Sequence, residues 1–163
     1  MAARVVFAHG KESGPWGTKI TALAAIAREL GWAVDSPDYR FSHDPDERAA
    51  HLQALAPTGE PLVLAGSSLG GYVSLKASRQ LRPAALFLMA PAIYIPERNA
   101  GAPPADTTLV VVHGRDDAIV PPAHSERFCR EHHADLHLIR GDHGLNARLG
   151  VIGALFRALL LDL

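Results

Sequence analysis

The chain has a single cysteine, Cys129, among its 163 residues. No disulfide can close within it, and no pair of thiols is available for a zinc or redox site. Cys129 falls in a helical stretch and reads as a small apolar residue. Charge of one sign is also lacking, since 16 Lys and Arg stand against 17 Asp and Glu. That balance argues against nucleic acid or a membrane surface as partner and favours small molecules or proteins. No apolar run reaches the roughly 20 residues that a membrane helix needs. The C-terminal VIGALFRALLLDL comes nearest, but Arg148 and Arg157 lie opposite its periodic leucines, so it reads as a packed helix. The apolar run within MAARVVFAHG is too short for the core of a signal peptide, and a cytoplasmic protein is expected. Repeats and low-complexity tracts are absent.

Strand and helix signals alternate along the whole chain. Strands are expected at Arg4–Ala8, near Trp32–Ser36, at Pro61–Ala65, at Ala84–Leu88, at Thr108–Val112 and near Asp135–Ile139. Helices are expected at Thr18–Leu30, after Pro45, after Ser68, near Pro122–His132 and from about Asn146 to Leu161. Gly31 stops the first helix. Asp44 is placed to cap the second, with Pro45 in its first turn and Glu47 completing a capping box. Six strands alternating with helices predict an α/β protein, a three-layer sandwich around a six-stranded parallel sheet. The length suits one domain over residues 1–163, able to bury about two-thirds of its unfolded surface. The longest irregular stretch is Pro91–Asp106.

In such sheets ligands bind beyond the carboxyl ends of the strands, so polar residues just after a strand carry most weight. Gly10 follows the first strand, Ser68 the third, Asp116 and Asp117 the fifth, and His143 the sixth. Gly66-Ser67-Ser68-Leu69-Gly70 has the pattern G-x-S-x-G between an apolar strand and an amphipathic helix. So abrupt a turn needs very small residues two before and two after the nucleophile. Ser68 meets that condition; Ser67 does not, because Leu69 would occupy the downstream position. The pentapeptide alone arises by accident in roughly one chain of this length in twenty, so its strand–turn–helix setting must support it. A serine hydroxyl also needs a base, a group to orient that base, and donors for the oxyanion.

The order Ser68, Asp117, His143 matches that of α/β-hydrolases, and the chain resembles a minimal member of that superfamily. FAHGKESGP, AGSSLGGY, VVHGRDDAIVP and GDHG carry the resemblance, which is to small bacterial esterases with G-S-S-L-G-G-Y at the elbow. It implies Ser68 as nucleophile, His143 as base and Asp117, rather than Asp116, as the acid. It further implies the N–H groups of Lys11 and Leu69 as oxyanion donors, and neither metal nor cofactor. Relatives commonly begin with two antiparallel strands that have no counterpart before Arg4, and Pro91–Asp106 is too short for a cap domain. The oxyanion loop reads His9-Gly10-Lys11-Glu12, where bulky apolar residues or glycine are more usual.

The expected activity is hydrolysis of small carboxylic esters or thioesters by a monomer or homodimer, with Trp16, Met89 and Tyr94 as substrate-binding candidates beside Ile93 and Ile95. Two other readings stand beside it. The elbow glycines would serve a tight strand-to-helix join in an idle hydrolase fold used as a binding module. A phosphate-cradling GSSLGG turn is the second, although it matches neither common nucleotide-binding glycine motif. His9 and His113 are expected to brace their loops, and Asp116 and Asp142 to be solvated turn residues.

Overall fold

Apolar side chains alternate along the strands so that both faces of the sheet are apolar, as a parallel sheet covered by helices on both sides requires. The computed structural model describes residues 1–163. β1 (Arg4–Ala8), β2 (Ala33–Asp35), β3 (Leu62–Ser67), β4 (Ala85–Met89), β5 (Thr108–Gly114) and β6 (Asp135–Ile139) form one parallel sheet in the order β2-β1-β3-β4-β5-β6. Val5, Phe7, Val63, Ala65, Phe87, Met89, Val110 and Val112 pack into one core layer, against α1 (Thr18–Glu29) and α5 (Leu149–Asp162). Phe156 of α5 anchors it, with its ring 5.1 Å from that of Phe87 and 6.1 Å from that of Phe7. The alternate residues, Val6, Ala8, Leu64, Leu86, Leu88 and Val111, pack into a second layer against α2 (Pro45–Leu55), α3 (Leu69–Leu81) and α4 (Pro122–His132).

The register sets the site. Ala8 of β1 lies level with Gly66, and Ser67 level with Met89 of β4. The loops after these strands therefore open side by side on one edge. Residues 90–107, between β4 and β5, contain neither helix nor strand.

Three local details depart from expectation. β3 continues to Ser67 and β5 to Gly114, because strand pairing runs on to the turns that leave them. The last helix starts as a 3-10 turn over Asn146–Arg148, after Leu145 adopts a left-handed conformation with φ 55°. The capping box of α2 is not closed as expected. Asp44 accepts from the N–H groups of Asp46 (2.8 Å) and Glu47 (3.1 Å), but the Glu47 carboxylate takes the Ser42 hydroxyl instead of the Asp44 N–H. Ser42 stands between them, accepting the Asp44 N–H at 3.0 Å.

Candidate active site

Between β3 and α3 only Ser68 makes the turn, with φ 54° and ψ −115°. For a residue with a Cβ this backbone costs about 1–3 kcal/mol and persists only where its surroundings over-determine it. They do so here. The Ser68 N–H donates to Met89 O at 3.0 Å, and Ser68 O accepts from the N–H groups of Gly71 and Ala92, both at 2.9 Å. A Cβ built on Gly66 would lie 2.1 Å from Gly70 O, and one on Gly70 would lie 1.8 Å from Ala8 O. Glycine at both positions lets the elbow close against itself and against β1.

The loops after β5 and β6 bring two more side chains to this turn. His143 Nε2 lies 2.9 Å from Ser68 Oγ, and His143 Nδ1 lies 2.7 Å from Asp117 Oδ2. Asp117 Oδ1 accepts from the N–H groups of Ile119 and Val120, each at 2.8 Å. Burial pushes the Asp117 carboxyl up, yet the His143 bond and those two N–H groups outweigh it and hold the group below its ordinary value. An ionised carboxylate accepts only, so His143 carries its proton on Nδ1 and offers the Nε2 lone pair to the Ser68 hydroxyl. Behind the carboxylate stands buried His113, whose Nε2 is 3.0 Å from both Asp117 Oδ2 and Val120 O. Two acceptors at one nitrogen put a proton there, so His113 Nδ1 accepts from Ser125 Oγ at 2.6 Å. Asp116 is exposed, and its backbone N–H joins the two loops through Gly141 O at 3.0 Å. Asp142 caps the next turn by accepting the Leu145 N–H at 3.0 Å.

The loop after β1 lies against the elbow, since a Cβ built on Gly10 would be 3.7 Å from Ser68 Cβ. His9 braces it. Its Nε2 accepts the Tyr39 N–H at 2.9 Å, so Nδ1 carries the proton and donates to Gly10 O at 2.8 Å. Buried Arg48 of α2 donates to Gly10 O (3.0 Å), Lys11 O (3.1 Å) and Ser42 O (2.7 Å). The Lys11 N–H takes no acceptor from the protein, and Leu69 opens α3, where the first N–H groups have no partner within the helix.

Sequence reasoning missed Arg48, Ser125 and Lys19, whose Nζ donates to Gly144 O at 2.6 Å beside His143. Only the position of Lys19, one turn before buried Leu23 on α1, hints that it turns inward. Of the expected substrate-binding residues, Trp16 is half exposed and stacks with Arg28. Met89 needs correction, because its side chain is fully buried in the core and only its carbonyl reaches the elbow. Tyr94 packs beneath the Arg127 guanidinium, 4.2 Å from its ring centroid. It lines a concavity of about 410 Å³ with Ile93 and Phe128 that contains no member of the Ser68–His143–Asp117 line. A concavity of about 740 Å³ is also elsewhere, between Arg4, Asp35, His51 and Leu55.

The chain is similar, at 33% identity and a TM-score of 0.92, to a protein of Xanthomonas campestris pv. campestris assigned to the α/β-hydrolase superfamily, with 99% of each chain covered. It belongs to that superfamily. Residues 4–103 also match the uncharacterised protein family UPF0227, which makes the chain a member of that family too. A second X. campestris protein, an α/β serine hydrolase without lid, is 25% identical over 96% of this chain and 79% of its own, with a TM-score of 0.68. Est1E from Butyrivibrio proteoclasticus shares the fold at 18% identity and a TM-score of 0.77, over 99% of this chain and 88% of its own. No curated protein matches the sequence. The chain presents its turn residues at the carboxyl edge of its parallel sheet. No helix is long and apolar enough to cross a membrane.

Proposed function

We propose that this α/β-hydrolase cleaves small carboxylic esters or thioesters through an acyl-enzyme on Ser68. One observation carries the reading: an unbroken hydrogen-bond line from Ser68 Oγ through His143 to the buried Asp117 carboxylate, starting on a strained turn. Ser68 Oγ attacks the acyl carbon while its proton passes to His143 Nε2. Asp117 keeps the imidazole in the required tautomer and stabilises the imidazolium that forms. Negative charge gathers on the former carbonyl oxygen, where the N–H groups of Lys11 and Leu69 receive it. Collapse breaks the bond to the alkoxide or thiolate leaving group, which takes the proton from His143. Water then attacks the acyl-enzyme, giving a proton to His143 Nε2, which passes it to Ser68 Oγ as the bond to the acyl carbon breaks and the acid leaves.

Hydrolysis of p-nitrophenyl acetate tests this. Ser68→Ala and His143→Ala are each expected to abolish turnover above the roughly 10³–10⁴-fold residue that the remaining site gives over water. Ser67→Ala is expected to stay close to wild type. Undiminished turnover in Ser68→Ala would overturn the proposal. No comparable observation favours the binding-module reading, which offers no reason for a base and an acid to converge on this serine.

A further inference from the structure

Arg48 is the largest side chain that is fully buried in the protein. Burying a guanidinium is costly unless its donors are satisfied, and here every acceptor is a backbone carbonyl. Three of the four belong to consecutive residues of the loop after β1: His9 O at 3.4 Å, Gly10 O at 3.0 Å and Lys11 O at 3.1 Å. The fourth, Ser42 O, ties the same group to the start of α2. No carboxylate hydrogen-bonds to it; the Asp38 and Glu12 carboxylates act on its charge only from a distance, so its donors are all spent on the backbone.

Peptide geometry gives this contact a consequence. In a trans peptide the C=O of one residue and the N–H of the next point in opposite directions. Turning the Gly10 carbonyl toward Arg48 turns the Lys11 N–H away from it, and turning the Lys11 carbonyl does the same for Glu12. The Gly10 carbonyl also receives the His9 Nδ1–H at 2.8 Å and the Ser13 hydroxyl at 3.4 Å. Three donors on one oxygen fix that peptide plane, beside Ser68, with its N–H unused by the protein.

We propose that Arg48 is a positioning residue that aims the Lys11 N–H at the oxyanion, and that its buried charge favours the negative charge developing there. The inference rests on the hydrolase reading above and assigns Arg48 no contact with substrate. Arg48 acts through the loop, so its loss should lower kcat more than it raises KM.

Paired substrates separate this role from a merely structural one. A thionoester replaces the carbonyl oxygen with sulfur, a weak acceptor that gains little from an aligned N–H. In Arg48→Gln, kcat/KM for p-nitrophenyl acetate is expected to fall about 10²–10³-fold, the usual cost of one lost oxyanion donor. Turnover of the matching thionoacetate should fall far less, so the oxo-to-thiono ratio drops. If that variant does not fold, by circular dichroism and a cooperative melt, Arg48→Lys is scored in its place. It keeps the charge but gives up the fork that reaches several carbonyls at once, and the ratio should drop by a smaller factor. Active wild-type protein with an unchanged ratio in the folded variant would overturn the role of Arg48 alone. Wild-type protein inactive on both esters would overturn the hydrolase reading, and this inference with it.

Discussion

Asp117 carries a hydrogen bond from His143, one from His113 and two from backbone N–H groups on its two oxygens. It is thereby kept ionised and fixed in rotation, and these properties make it an orienting group for His143. Asp117→Asn is expected to lower kcat about 10⁴-fold by favouring the wrong histidine tautomer, whereas exposed Asp116 should tolerate the same change. Steady-state kinetics on a soluble aryl ester compare the two, and a reversal of severity would mean that the acid has been misplaced. Further back, Ser125→Ala leaves His113 Nδ1 buried without its donor. Urea denaturation should then show a loss of about 1–3 kcal/mol, with turnover nearly intact. A turnover loss as large as that of Asp117→Asn would mean that the His113–Ser125 pair, and not the carboxylate alone, sets the position of His143.

Among the elements, α2 does more than cover the sheet. Its first turns carry Arg48, which holds the loop after β1, and Asp46, which pairs with Tyr72 and Lys76 of α3 and with Arg98. The loop that leaves β1 depends on His9 as well, and His9 works only when neutral, because Nε2 must accept the Tyr39 N–H. Burial lowers its affinity for a proton, the Gly10 carbonyl raises it, Arg48 lowers it, Asp38 raises it and Arg40 lowers it, leaving the group below its ordinary value. The unfolded chain, with a histidine pKa near about 6.5, therefore binds the proton first. The resulting stability is full above that pH and is lost as pH falls below it. Urea denaturation from pH 7.5 down to 5 should show a steeper decline for the wild type than for His9→Asn; equal slopes would contradict the neutral brace. Most strands and helices were legible in the sequence because apolar runs and amphipathic periods end at glycine, proline or a cap, and Gly66 and Gly70 singled out Ser68. Arg48 was not legible. On a helix reading PDERAAHLQAL an arginine looks solvated, and only a loop 37 residues earlier in the chain turns it inward. Met89 escaped for the opposite reason, since a continuous apolar strand does not announce which face each residue takes.

At the scale of the molecule, the 90–107 connection crosses the active edge without a helix of its own, and the concavity that its Ile93 and Tyr94 line contains neither Ser68 nor His143. An acyl chain on Ser68 is therefore expected to meet little apolar wall, with Trp16 and the 73%-exposed Ile119 as the nearest candidates in sequence to the loops that form the site. Each buried methylene contributes on the order of 0.8 kcal/mol and each wet one almost nothing. Across p-nitrophenyl esters from acetate upward, kcat/KM is expected to rise over the first few carbons and then level or fall. A steady rise to the longest soluble chain would reveal an acyl channel absent from this surface. The decisive observation is simpler. Treat the folded protein with a fluorophosphonate and locate the adduct by mass spectrometry of its peptides: one phosphonyl group on Ser68, lost in Ser68→Ala and greatly slowed in His143→Ala, is the predicted result. An adduct on Ser67, or no adduct on protein shown to be folded, would contradict it.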